Sequence, residues 1–240
     1  MSRGPFHSVA WDNEGLLQIP DDPFGTSLRI WTGADLELPS GGSHYGYVYE
    51  GSLLLDCASG RFELSPGMYF ALPGPARLGG LGRAIVIERA VHRALFSLGG
   101  PIEEFGRLCY IDGCTDSLLL APAVLGAPCL NLLHLPAGTV QTSHSHPSVR
   151  VGIVVSGSGS CVTPGGSTPL SPGQVFVIEA HGAHCFHTDE EALRVIAYHP
   201  DSDTGPQDHD HPMINRTYVG GRSASQLPGI RTTGGAGSRS

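Results

Sequence analysis

The stretch TSHSHPSVRVGIVVSG, residues 142–157, decides the fold. It places His144 and His146 two positions apart, and Arg150 follows four positions later at the start of an apolar run. Residues two apart in an extended chain face the same side, so both imidazoles are expected to point in one direction. The pair has the spacing of two metal ligands, and the arginine stands where such a site would usually supply a carboxylate.

The apolar run belongs to an internal repeat. Residues 44–73 (HYGYVYEGSLLLDCASGRFELSPGMYFALP) align without a gap with residues 150–179 (RVGIVVSGSGSCVTPGGSTPLSPGQVFVIE). Both copies contain LSPG, and both alternate apolar-rich strands with turns rich in Gly, Ser and Pro. A repeat unit of about 100 residues is too long for a solenoid. The sequence therefore predicts two copies of one small β-domain.

The composition supports an all-β fold and limits the classes of partner. A chain of 240 residues can form two small domains, and 34 Gly with 19 Pro suit tight turns between short strands. The formal net charge of −8 offers no basic surface to a phosphate backbone, so no nucleic-acid partner is expected. No apolar run approaches the roughly 20 residues of a membrane span, and the first residues lack the apolar region of a signal peptide. Because the six cysteines form no CxxC pair, we expect free thiols in a cytoplasmic protein without a membrane partner.

The residues around the two histidines resemble the first motif of the cupin superfamily, whose members are double-stranded β-helix (jelly-roll) barrels. That motif is usually Gly, five residues, His-x-His, three or four residues, Glu, six residues, Gly. Here Gly138, His144, His146 and Gly157 keep the spacing. Arg150 occupies the glutamate position.

A second stretch, GQVFVIEAHGAHCFHT, resembles the second cupin motif. The usual pattern is Gly, Asp, four residues, Pro-x-Gly-x-x-His, three residues, Asn. Gly173 and His184 match it, whereas Glu179 stands at the Pro position and Thr188 at the Asn position. The resemblance therefore implies that a third histidine, His184, arrives from a strand that faces the first two.

The repeat and the resemblance together predict a bicupin, an all-β chain of two tandem cupin barrels. We expect an N-terminal barrel at 1–98, a linker at 99–124 and a C-terminal, metal-binding barrel at 125–219. Residues 220–240 lack apolar periodicity and are expected to form a disordered tail. Because cupins often pair through their outer sheets, the resemblance also implies a homodimer.

The resemblance gives the C-terminal copy one divalent metal, bound by His144, His146 and His184. Three neutral imidazoles suit Fe(II), Mn(II), Ni(II), Cu(II) or Zn(II) and leave positions open for substrate, and Fe(II) is favoured. The alternative is a barrel that has lost its metal and keeps hydrogen-bonded histidines. His209 and His211 lie in a polar stretch that either joins the site as a lid or is a solvated loop.

The N-terminal copy lacks these ligands. Leu38, Ser40 and Leu78 occupy the three histidine positions, and only His44 is polar, at the place of Arg150. One imidazole does not hold a metal, so this copy is expected to be a degenerate barrel with a structural or dimerising role. The alternative is a second ligand pocket that contains His44.

Arg150 cannot be a metal ligand, because a guanidinium stays protonated and offers no lone pair. We expect it to bind the carboxylate or enolate of a small anionic substrate. The alternatives are a structural ion pair with Glu179, or Glu179 turning inward as a fourth ligand. Phe186 and Thr188 share the strand face of His184 and are expected to line the pocket.

The resemblance implies a metal-dependent enzyme, because some cupins with three histidines and no glutamate are Fe(II) dioxygenases that act on thiols, diketones or hydroxylated aromatic acids. A mononuclear non-haem Fe(II) dioxygenase is therefore the preferred hypothesis. A non-redox isomerase, lyase or decarboxylase is the second, and a small-molecule-binding cupin without catalysis is the third.

Overall fold

The computed structural model describes residues 4–13 and 15–232, and strands dominate it, as the all-β prediction requires. The N-terminal half contains β1 (Phe6–Val9), β2 (Leu16–Gln18), β3 (Thr26–Trp31), β4 (Leu36–Leu38), β5 (Gly42–Cys57), β6 (Gly60–Leu64), β7 (Tyr69–Pro73), β8 (Ala76–Ala90) and β9 (Ser97–Gly99). The C-terminal half contains β10 (Leu108–Cys109), β11 (Thr115–Leu120), β12 (Cys129–Leu135), β13 (Arg150–Ser156), β14 (Gly159–Thr163), β15 (Gly166–Leu170), β16 (Val175–Ile178), β17 (Cys185–His187), β18 (Leu193–His199), β19 (Tyr218–Val219) and β20 (Arg222–Ser223). A short helix, α1 (Pro212–Asn215), and 3-10 turns at Ile111–Gly113, Ala224–Gln226 and Pro228–Ile230 complete the described elements.

Two long strands organise the N-terminal half. β5 and β8 pair antiparallel along nearly their whole length and lie at the centre of an eight-stranded sheet in the order β2-β3-β8-β5-β7-β9, with β4 on β8 and β6 on β5. The pairing shifts register between Val48 and Glu50, and Gly51 follows with a φ of 74°. A bulge with a glycine in the left-handed region bends a strand. The same two strands therefore contribute to both layers of this half.

The C-terminal half has a seven-stranded sheet, in the order β1-β16-β13-β18-β12-β11-β10, and a three-stranded sheet, β15-β14-β17. Side chains alternate between the two faces of a strand. Along β13, Val154 packs between the two sheets of this half, whereas Val151 and Ile153 pack towards the N-terminal half. Arg150 shares the face of Val154, and this parity directs it to the inside of the C-terminal half.

Three apolar cores hold the chain together. One lies within each half, and the third lies between the halves, where the ring of Tyr45 is 5.1 Å from that of Tyr198. The sequence repeat thus corresponds to two sheet systems packed face to face. Closure of each system into a barrel remains a prediction.

The domain boundaries differ from the predicted ones at two places. β1 lies in the predicted N-terminal domain but pairs with β16 of the C-terminal sheet, from Phe6 opposite Ile178 to Val9 opposite Val175. β10 and β11 come from the predicted linker and extend the same sheet at its other edge. In both cases an added strand satisfies backbone groups at a sheet edge that would otherwise be unpaired.

The predicted disordered tail is wrong for its first part. β20 pairs with β19, and two 3-10 turns follow up to Ile230. Residues 233–240 of the predicted tail lie outside the described residues. Within residues 4–13 and 15–232, no helix has the length and apolar character needed to cross a bilayer.

Candidate metal centre

Three histidines of the C-terminal half come together, as the sequence predicts. His144 precedes β13, and His184 immediately precedes β17. Their backbones form an antiparallel bridge in which each N–H donates to the other residue's carbonyl oxygen at 2.9 Å. The ring centroids are 5.0 Å apart for His144 and His146, 4.8 Å for His144 and His184, and 5.3 Å for His146 and His184. One ligand nitrogen from each lies within 4.8 Å of the other two.

Backbone carbonyls set the tautomer of two of these rings. His144 Nδ1 lies 2.8 Å from the carbonyl oxygen of Thr142, and His184 Nδ1 lies 2.8 Å from that of Gly182. A carbonyl oxygen only accepts, so each Nδ1 carries the proton and each Nε2 keeps its lone pair. A hydrogen bond of this kind at the far ring nitrogen is a regular feature of metal-binding histidines.

Burial favours the neutral form of two of the three imidazoles, those of His146 and His184. Burial, followed by the nearby charges of Arg150, His184 and His144, lowers the pKa of His146 to about 3. Burial also lowers the pKa of His184, in spite of the hydrogen bond to Gly182. Neutral imidazoles are the form that binds a metal ion. The donor set therefore fits a divalent transition-metal ion, and His144, His146 and His184 are the residues that could hold it.

Arg150 is buried next to the histidines without a carboxylate partner. Its Nη1 donates to the carbonyl oxygens of Ser148 and Val149, both at 3.0 Å, and to Ser148 Oγ at 2.8 Å. Ser148 Oγ in turn donates to Asp201 Oδ1. Nε is buried without a hydrogen-bond partner, and no ion pair of the described residues includes Arg150. Burial lowers its pKa to about 10, so the guanidinium is still charged at neutral pH.

Glu179 contacts neither Arg150 nor the three clustered histidines. Its predicted roles, as an ion-pair partner of Arg150 or as a fourth metal ligand, are therefore wrong. Ile178 pairs with Arg150 across the sheet and lines the inner cavity, so the next residue points to the opposite face. There Glu179 Oε1 pairs with His7 Nε2 at 2.7 Å, and its side chain is 60% exposed. Alternation along the strand thus removes Glu179 from the site.

The other predicted residues divide between the cavity and its surroundings. Phe186 lines the cavity. Thr188 is buried, but its hydroxyl bonds the carbonyl oxygen of Pro136 and accepts from the N–H of Thr139, so it holds a loop and does not line the cavity. Its predicted pocket role is therefore wrong.

Three further histidines lie away from the cluster. His211 caps α1, where its Nδ1 accepts from the N–H groups of Met213 and Ile214, and neither His209 nor His211 is among the described residues that line the cavity. His44 is buried in the N-terminal half, with Nε2 3.0 Å from the carbonyl oxygen of Pro39. These positions do not support a lid of loop histidines over the cluster.

Among the cavity residues missed by the sequence analysis, four have side chains that can form strong hydrogen bonds. His199 ends β18, one step beyond the pairing of Val151 with Tyr198, and so lies beside Arg150. Its pKa is lowered well below the usual value by burial and by Arg150 and His146. The other three come from the predicted linker and from β12: Tyr110, Asp116 and Asn131. For His199 the sequence offered one signal, the alternation of side chains along β18, which puts His199 on the same face as Val195 and Ala197.

These residues enclose one cavity of about 260 Å³, which corresponds to roughly nine water molecules. It has polar groups at both ends and apolar walls between them. The lining residues are Leu108, Cys109, Tyr110, Asp116, Asn131, Leu133, His144, His146, Arg150, Phe176, Ile178, His184, Phe186, Val195, Ala197 and His199. The size and lining suit one small organic acid.

Comparisons with known proteins support the cupin resemblance. The family model described as "Cupin domain" matches residues 131–199. A search of curated proteins finds no match. Among solved structures, the chain is similar to a Cupin 2 conserved barrel domain protein from Leptotrichia buccalis, at 15% identity over 82% of this chain and 90% of that chain, with a TM-score of 0.58.

Two more solved structures have the same kind of likeness. One is a putative glyoxylate-induced protein from Pseudomonas aeruginosa, at 14% identity over 84% of this chain and 82% of that chain, with a TM-score of 0.62. The other is a variant of salicylate 1,2-dioxygenase from Pseudoaminobacter salicylatoxidans in complex with gentisate, at 12% identity over 83% of each chain, with a TM-score of 0.60. At such identities the likeness shows the fold alone, and with the family match it supports the cupin superfamily.

Proposed function

We propose that this cupin-fold chain is a mononuclear non-haem Fe(II) dioxygenase that acts on a small anionic substrate in its C-terminal half. One observation carries the proposal: three clustered imidazoles, two of them with a tautomer set by a backbone carbonyl, lie beside a buried guanidinium that has no carboxylate partner among the described residues. The imidazoles suit a metal cation, and the guanidinium suits an anion. A site of this kind brings a substrate carboxylate or enolate next to an open metal position.

His144, His146 and His184 would hold the ion. An Fe(II) ion bound by three protein ligands supplies open positions at which substrate and dioxygen can be activated together. The protein's own contribution is to orient the rings of His144 and His184, through the Thr142 and Gly182 carbonyls, and to lower the pKa of His146 and His184 by burial.

Arg150 would bind and orient the substrate anion. Its Nη1 is fixed by three acceptors from Ser148 and Val149, which holds the guanidinium plane before the substrate arrives. A cation held in place in a cavity of low polarity attracts an anion much more strongly than one in water. His199 lies beside it and extends the polar end of the cavity.

The apolar walls exclude water from this end. Phe176 and Phe186 contact each other edge-on, with centroids 6.2 Å apart, and Ile178 lies on the same face. Such walls suit the hydrocarbon part of a small acid. The likeness to a salicylate 1,2-dioxygenase that has gentisate bound supports a fold able to host this chemistry, and the residue-level case depends on the cluster and Arg150.

The first test is metal content together with dioxygen uptake. Protein purified without an affinity tag is expected to hold about one metal ion per chain, and with Fe(II) to consume dioxygen with at least one acid from a panel of hydroxybenzoates, thiol acids and diketones. His144→Ala is expected to lose the metal and to reduce uptake more than about 100-fold. His209→Ala is the matched control, because that histidine lies away from the cluster.

Three results would redirect the assignment. Turnover that persists with Zn(II) in the absence of dioxygen would favour the isomerase, lyase or decarboxylase hypothesis. Tight acid binding without turnover would favour a binding protein. A chain that refuses Fe(II), Mn(II), Ni(II), Cu(II) and Zn(II), whereas Arg150→Glu accepts them, would show that the arginine has disabled the metal site.

A further inference from the structure

The cavity has a second polar end, built by Asp116 and Asn131. Asp116 lies on β11 opposite Leu133 of β12, and both residues line the cavity, so the carboxylate is on the inner face of the sheet. Arg150 begins β13, which is separated from β11 by β18 and β12. Three strand spacings amount to roughly 14 Å, and the register puts Asp116 level with Val154, four residues along β13 from Arg150. Asp116 and Arg150 therefore mark opposite ends of one cavity.

Few neighbouring groups stabilise the negative charge of Asp116. Asn131 Nδ2 donates to both carboxylate oxygens, at 2.8 and 3.0 Å. No ion pair of the described residues includes Asp116. Burial raises its pKa, although the bond from Asn131 works in the opposite direction. The half-buried carboxylate lines the cavity and can accept about four hydrogen bonds, so lone pairs remain for further donors.

We propose that Asp116 is a specificity-determining residue that accepts a hydrogen bond from a hydroxyl or amino group of the substrate, at the end remote from its carboxylate. The inference rests on the proposed function, because it uses Arg150 to fix the other end of the ligand. The substrate class is then a small acid with a hydrogen-bond donor at its far end. An acid that lacks the donor leaves a half-buried carboxylate under-solvated, and this is a basis for discrimination.

A structural role explains Asp116 less well. A buried carboxylate that stabilises a fold is paired with a cation or receives several donors. Here one amide nitrogen is the donor. The charges of both Arg150 and Asp116 shift the pKa of Tyr110, which also lines the cavity. The carboxylate thus faces the same ligand space as the guanidinium.

The test measures binding of matched acids by titration calorimetry, on the full chain with Zn(II) added and without metal. The pairs are benzoate with 3- and 4-hydroxybenzoate, and butyrate with 4-hydroxybutyrate; 4-methoxybenzoate controls for size without a donor. In at least one series the hydroxy acid is expected to bind at least about tenfold more tightly than its parent, the size of a hydrogen bond to a charged group. In Asp116→Ala that preference is expected to fall to less than about twofold, with parent binding kept.

Asp116→Asn keeps the size of the side chain and serves if Asp116→Ala fails to fold; its preference is expected to lie between the other two. Equal preference in wild type and either variant would overturn the inference, as would the absence of a hydroxyl preference in both series. Arg150→Met separates the two proposals. If it weakens parent and hydroxy acids by the same factor, the anion site stands whatever Asp116 does. If Arg150→Met leaves the affinity for every acid unchanged, the anion part of the proposed function fails. The hydroxyl preference of wild type and of the Asp116 variants then still decides the role of Asp116.

Discussion

Replacing Arg150 by Met is expected to separate the stability of the chain from its affinity for anions. Burial lowers the pKa of the guanidinium well below its ordinary value, to about 10. Since one pKa unit corresponds to about 1.36 kcal/mol, keeping this cation inside costs about 3 kcal/mol at neutral pH. Unfolding returns the cation to water, so the cost lowers the free energy of unfolding at every pH below about 10.

The substitution also removes hydrogen bonds. The carbonyls of Ser148 and Val149 lose a donor, which costs about 1–2 kcal/mol, whereas Ser148 Oγ keeps its bond to Asp201. The free energy of unfolding of ligand-free Arg150→Met is therefore expected to rise by about 1–2 kcal/mol. The affinity for a small carboxylate is expected to fall about 30- to 1000-fold, since truncating one partner of a buried charge pair costs about 2–4 kcal/mol.

Urea unfolding of the metal-free protein measures the first quantity, and calorimetric titration with a benzoate series measures the second. Arg194→Met is the matched control. Arg194 lies on the neighbouring strand β18, its Nε donates to Ser156 Oγ at 2.7 Å, and it does not line the cavity, so anion affinity should not change. If Arg150→Met lowers the free energy of unfolding by more than about 1 kcal/mol and keeps the affinity for anions, the reasoning is refuted and the arginine is a structural residue.

Three further results are expected. Ser148→Ala removes the hydroxyl that joins Arg150 to Asp201 and should weaken anion binding about fivefold in the same titration, with metal content unchanged. Bound metal should be retained at about pH 5.5, because the lowered pKa of His146 weakens the competition of protons for that ligand; metal analysis after dialysis that finds half the metal lost at about pH 5.5 would contradict this. Gly51→Ala should lower the free energy of unfolding by about 2–4 kcal/mol in urea, since φ is 74° and an added Cβ meets the backbone of β8.

The features predicted from sequence are those that local spacing determines. The two side chains of a His-x-His pair on an extended segment face the same side, and the resemblance to the second cupin motif indicated His184 as the third histidine. The structure brings His144, His146 and His184 together, and His144 and His184 form an antiparallel bridge. The absence of a metal site from the N-terminal copy stays a prediction, made because Leu38, Ser40 and Leu78 occupy the histidine positions.

The residues that were missed depend on strand pairing between distant parts of the chain. Asp116 was assigned to a linker, and its strand reaches the cavity because β11 adds to β12 at the sheet edge. β1 pairs with β16, which lies more than half of the sequence away, and no local sequence pattern predicts this pairing. The error over Glu179 has a different origin. The pairing of Ile178 with Arg150 turns Glu179 outward, and the sequence does not state that register.

Arginine in place of glutamate changes what the site can hold. A glutamate would give a divalent ion with three neutral imidazoles a net charge of about +1, whereas Arg150 raises it to about +3. The nearest carboxylate that the structure connects to the guanidinium is Asp201, through the Ser148 hydroxyl, and Asp116 lies at the far end of the cavity. The missing negative charge therefore has to arrive with the ligand. Because coupling between two bound species is reciprocal, an anion on Arg150 should strengthen metal binding by the factor by which the metal strengthens anion binding. The substrate then takes over the electrostatic role that a ligating glutamate has in related sites.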